Sequence, residues 1–89
     1  MITKAAVKIF DERQQKEIII PCHRHSDAFY ILHAFGYKAK QEYREIAQGF
    51  LDENDNFLNR VEAWEEARRC RQLKMVDPTY HCLFSEDLW

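Results

Sequence analysis

Three consecutive isoleucines at positions 18–20, followed at once by Pro21, set the first constraint on this chain. β-branched side chains suit an extended backbone and crowd in a helix. Residues 3–10 alternate imperfectly between polar and apolar, and the intervening residues 11–15 read DERQQ. The two segments therefore read as strands of a β-hairpin joined by a polar turn. Pro21 has no amide hydrogen to give to a ladder and is expected to stop the second strand.

Ser26 is then placed to cap a helix, with Asp27 close to its positive end. Ala28, Ile31, Leu32 and Phe35 recur at i, i+3, i+4 and i+7, a face expected to lie against the sheet, and Gly36 ends the pattern. Residues 37–47 are mostly polar with Tyr43 and Ile46 three apart, which fits a second short helix or an ordered loop equally well. Residues 48–51 and 56–58 flank the turn-rich DENDN and suggest a short hairpin or tight loop. Asn59 with Glu62 three positions later has the spacing of a capping box. Val61, Trp64, Ala67 and Cys70 then line one side of a second helix. Pro78 closes the helical territory, and a tail carrying Leu83, Phe84, Leu88 and Trp89 is expected to dock. The sum is an α+β fold in one domain, 1–89: an N-terminal β-hairpin, two main helices, a short central hairpin and a docked C-terminal tail.

Length and charge narrow the function. A chain of 89 residues hides a small fraction of its surface, so self-association into a homo-oligomer would help it. Thirteen Lys and Arg against fifteen Asp and Glu leave a net charge of −2, where a general nucleic-acid binder needs a positive excess. No apolar run approaches the roughly 20 residues of a membrane span, so no membrane partner is expected. Three cysteines, Cys22, Cys70 and Cys82, lack the density of a disulfide scaffold and read as reduced thiols of a cytoplasmic protein.

The stretch from Pro21 to Gly36 concentrates the chemistry. Cys22, His23, His25, His81 and Cys82 are zinc-type ligands, but the adjacent His81 and Cys82 make a poor second half, and no metal is expected. In DENDNFLNRVEA, Asp52, Asn54 and Asn56 match a calcium loop until Phe57 replaces the glycine and Ala63 the bidentate glutamate. His25 with Asp27 or Glu62 could act as an acid–base pair, yet no local signature fixes a nucleophile, so no catalytic residue is assigned and no cofactor is expected. The anion reading asks least: Arg24 and His25 precede a helix whose first amides are free, and Arg60 stands at a second helix start. Phe29, Phe50 or Phe57 could stack on a base. The alternative is that Arg24 and Arg60 pair with Asp27, Glu62 or the acidic tail.

Arg24-His25 with Asp27, QGF at 48–50, FLNRVEA at 57–63 and SEDLW at 85–89 together resemble a family of small phage and prophage proteins. Those proteins read as an RH element, a QGF-turn-F-x-x-R-x-E-A element and a C-terminal SEDLW. The resemblance implies a phage accessory protein, acting in the host cytoplasm, and points to Arg24, His25, Gln48, Phe50, Arg60, Glu62, Ser85, Glu86 and Asp87. With Asp27 these form the expected ligand site. By analogy with small phage proteins that counter host defence, it implies sequestration of a phosphorylated, nucleotide-like immune signal. Arg24 and Arg60 would hold phosphate, His25 would donate a hydrogen bond, and Glu86 or Asp87 would meet ribose hydroxyls or order the arginines. The rival readings are a small phosphoesterase or nucleotide hydrolase, and a protein-interaction module that inhibits a host enzyme.

Overall fold

The structure is a computed structural model that describes residues 1–74 and 81–88, with the side chain of Glu86 excepted. The expectations for Pro78 and Trp89 lie outside the described residues. Strands β1 (Ile2–Asp11), β2 (Lys16–Cys22), β3 (Tyr43–Asp52) and β4 (Phe57–Asn59) form an antiparallel sheet in the order β2-β1-β3-β4. Helix α1 (His25–Ala34) follows β2, helix α2 (Arg60–Arg69) follows β4, and a 3₁₀ turn (Ser85–Asp87) lies in the tail. The architecture is α+β, as the periodicities indicate.

The first hairpin turns on Asp11. Its carboxylate accepts from the amides of Arg13 (2.9 Å) and Gln14 (3.2 Å) and from the hydroxyl of Tyr37 (2.8 Å), although the residue is fully buried. A buried carboxylate survives only when hydrogen bonds replace its water, and these three do so. Pro21 does not stop β2: it pairs with Ala6 inside the strand. The reason is position, because β2 is an edge strand and a proline there need not remove a ladder bond.

Residues 37–47 are neither a second helix nor a loop throughout, since β3 begins at Tyr43. Lys8 pairs with Ala47 and Ile9 with Glu45, leaving Ile46 unopposed. This bulge breaks the alternation that would have marked a strand. The central hairpin stands where DENDN placed it. Asp52 accepts from the amides of Asn54 and Asn56, both at 2.9 Å, and Asp55 takes a left-handed conformation at φ 61°.

Two apolar clusters share the sheet. One lies under α1 and centres on Val7, Ile9, Ala28 and Leu32, while the other lies under α2 and centres on Ala5, Phe50, Trp64 and Leu83. Cys22 packs against both. The buried stripe of α1 is His25, Ala28 and Leu32, whereas Phe35 is 73% exposed and Ile31 also faces outward. The stripe swings toward His25 because that ring, polar as it is, has a partner inside. On α2 the buried residues are Ala63, Trp64 and Ala67; Val61 is exposed and Cys70 sits at the C-cap, half-buried. Two alanines beside one tryptophan let that helix approach the sheet closely. The tail docks through Leu83, fully buried, and Leu88, which packs on the same cluster, while Phe84 stays outside.

Gly49 is where β3 meets β4 most tightly. A Cβ there would lie 2.3 Å from the Leu58 carbonyl oxygen and 2.6 Å from the Phe57 ring. Backbone cannot yield as a flexible side chain can, so Gly49→Ala is expected to lower unfolding free energy by about 1–3 kcal/mol, the usual range for overpacking. An unchanged urea midpoint would show that β4 moves away at no cost.

Burial pushes the Asp11 carboxyl up, but the Tyr37 hydroxyl and the Gln14 and Arg13 amides outweigh it and hold the group below its ordinary 3.8. A depressed carboxyl contributes stability that is present at neutral pH and lost as pH falls below the ordinary value and through the folded one. Asp11→Asn should therefore melt lower than the parent at neutral pH, with the gap closing as pH falls below the ordinary carboxyl value and through the depressed folded one. A gap independent of pH would contradict this role.

Candidate functional site

The site begins with one buried histidine. Helix α1 starts at His25, and Asp27 steadies that start by accepting from the Arg24 amide at 3.1 Å. The cap is thus Arg24 with Asp27, not Ser26. His25 Nε2 donates to the Gly49 carbonyl at 2.8 Å, and its ring meets Phe50 edge-on with centroids 5.0 Å apart. The three residues QGF therefore divide the labour. Gln48 points its amide toward the second helix, Gly49 gives its carbonyl to His25, and Phe50 fills the core beneath.

Helix α2 starts on a capping box, with Asn59 accepting from the amides of Val61 (3.0 Å) and Glu62 (2.8 Å) and Glu62 accepting from the Asn59 amide (3.0 Å). That box fixes Arg60 at the first helical position. Its guanidinium donates to the Leu83 carbonyl at 2.7 Å and to Gln48 Oε1 at 2.6 Å, and lies over the Phe84 ring at 4.7 Å. Gln48 in turn donates to Glu45 at 2.6 Å. In the other direction, the Leu83 amide donates to the Arg60 carbonyl at 2.8 Å, so the tail is held at both its polar atoms.

These elements enclose a pocket of about 240 Å³ lined by Arg24, His25, Ser26, Gln48, Arg60, Phe84 and Ser85. Five of the ten expected site residues meet there: Arg24, His25, Gln48, Arg60 and Ser85. Two arginines line the pocket, and among the described residues neither forms an ion pair. Asp27 and Glu62, their expected counter-charges, use their carboxylates on backbone amides, and Asp87 accepts from the Phe84 amide at 2.9 Å. Arg24 Nη1 is buried with no hydrogen-bond partner among the described residues. A buried donor without a partner carries a desolvation cost of roughly 1–3 kcal/mol, more when charged.

The other expected site residues do different work. Phe50 is fully buried and offers no face to a ligand, so it supports His25 from below. Asp27, Glu62 and Asp87 are caps, and the side chain of Glu86 lies outside the described residues. Phe57 packs near Gly49 with Lys8 over its ring, away from the pocket lining. Ser26 and Phe84 line the pocket and were not expected to. Phe84 stands beside Ser85 in the tail motif, a signal masked by its apolar character.

Other chemistry finds less to work with. Burial, reinforced by the charge of Asp27, pushes the Cys22 thiol up, which disfavours the nucleophilic thiolate. Among the described residues no three His, Cys, Asp or Glu side chains converge on a metal-binding geometry. No described helix is long and apolar enough to cross a membrane. For acid–base catalysis, His25 Nε2 is held by a carbonyl, and Asp27 and Glu62 are held by amides.

A protein-family model described as Phage T4 y16D protein matches residues 1–89. No curated protein and no solved structure matches the chain.

The two arginines should separate in a stability test. Arg60→Ala removes charge-assisted bonds to strand and tail and is expected to lower unfolding free energy by about 1.5–3 kcal/mol. Arg24→Ala removes a guanidinium whose Nη1 has no partner among the described residues and should lower it by no more than about 0.5 kcal/mol. Equal losses in urea unfolding would mean that Arg24 also holds the fold together.

Proposed function

Because the chain belongs to the phage T4 y16D protein family, we propose that it is a phage accessory protein that binds a phosphorylated small molecule in the pocket between its helix starts. The observation that carries this reading is the pair of guanidiniums, Arg24 and Arg60, in one pocket without carboxylate partners among the described residues. Guanidiniums match phosphate oxygens in geometry and charge, and a phosphate brings the acceptors that Arg24 lacks. Arg60 is already oriented by Gln48 and Leu83, so little rotamer freedom is lost when it meets an anion. Ser85 also lines the pocket, and the start of α1 adds a positive dipole end.

The ligand we favour is a nucleotide-like immune signal, captured in the host cytoplasm so that it cannot reach its receptor. Binding suits this site better than cleavage, because the groups suited to proton transfer are committed to the backbone. Capture also requires no turnover, only affinity and enough protein.

The test uses protein purified from cells in which a nucleotide-signalling defence is active. Native mass spectrometry should show a retained ligand whose mass survives denaturation unchanged, and Arg24→Ala should carry about tenfold to 150-fold less of it, the span of a charge-assisted bond. A chemically altered product would favour the phosphoesterase reading. Full retention of ligand by Arg24→Ala would remove the anion pocket as the site. Absence of ligand together with a stable complex from host lysate would favour the protein-interaction reading.

A further inference from the structure

On the other side of Ser26 lies a second cavity, of about 400 Å³, lined by Ser26, Phe29, Tyr30, His33, Tyr37, Ala39 and Tyr43. Ser26 also lines the arginine pocket, so the two share a wall in the first turn of α1. We infer that this aromatic cavity is the subsite for a planar ring of the same ligand, a nucleobase whose phosphate sits between Arg24 and Arg60. The inference rests on the phosphate-binding reading and adds the subsite and the residues that would recognise the base.

The aromatic lining is held in place before any ligand arrives. Phe29 and Tyr43 lie with centroids 6.4 Å apart at a 31° tilt, and Tyr37 meets Tyr43 at 6.5 Å and 62°. Tyr37 is braced further by its hydroxyl on Asp11 (2.8 Å) and by the Arg13 guanidinium over its ring (4.1 Å). Tyr30 is different: it is 72% exposed on the rim, a large apolar surface with no burial to justify it in the isolated chain. Rigid aromatic faces beside an anion site suit a base, since stacking is tolerant of base identity and costs little ordering. Neither cavity alone is large for a small molecule, whereas a ligand spanning Ser26 uses both.

Isothermal titration with adenosine 5′-monophosphate and with ribose 5-phosphate separates the two claims. The parent protein should bind the nucleotide at least about tenfold more tightly than the sugar phosphate, the lower end of what one stacked base contributes. Tyr30→Ala should reduce nucleotide affinity about tenfold and so close most of that gap, while Tyr30→Phe keeps it. Equal affinities for the two probes, with the nucleotide indifferent to Tyr30→Ala, would overturn the base subsite and leave the phosphate pocket standing. Failure of both probes to bind the folded parent would overturn the phosphate pocket and the subsite with it.

Discussion

The hydrogen bond from His25 to the Gly49 carbonyl is the interaction on which the rest of the structure depends. It joins the first turn of α1 to the middle of β3, and so spans the two apolar clusters that otherwise share little besides the sheet and Cys22. The bond requires a carbonyl in a strand that runs very close to β4, which is why glycine occupies that position. With the carbonyl fixed, Phe50 falls beneath the imidazole and Gln48 falls beside Arg60. One polar contact in an apolar setting thereby ties the start of α1 to the strand whose Gln48 meets Arg60 at the start of α2.

The electrostatics of the pocket follow from where carboxylates are used. The chain carries more acid than base, yet the acids nearest Arg24 and Arg60 are turned onto backbone amides as helix and turn caps. A cap satisfies donors that helix geometry leaves free, and it also draws negative charge away from the pocket. The result is a pocket lined by two arginines that form no ion pair among the described residues, on a protein of net negative charge.

Most of the architecture was legible in the sequence because it rests on local rules. The Asn59–Glu62 box, the DENDN turn and the first hairpin each depend on residues a few positions apart. The start of β3 was not, because Ile46 bulges and moves every later apolar residue out of phase. The α1 face was misread toward Phe35 since hydrophobic spacing gives no weight to a histidine whose partner is 24 residues away. Within the site, Arg24, His25, Gln48, Arg60 and Ser85 could be named from motifs, but which motif residues support rather than line the pocket depended on burial. Phe50 is the clearest case, an aromatic in a motif that serves the core. Ser26 was legible only as a helix cap, which it is not, and its position lining two cavities depended on the fold.

The outer strands bear on how much protein can accumulate. β2 presents Pro21, with no amide hydrogen, and charged Lys16 and Glu17 along its edge, while β4 is three residues long and passes directly into α2. Neither edge makes a good template for a strand from another molecule, so the sheet resists open-ended polymerisation at high concentration. Edge-to-edge association sets one ceiling on the concentration a sheet protein can reach, and the blunted edges raise that ceiling.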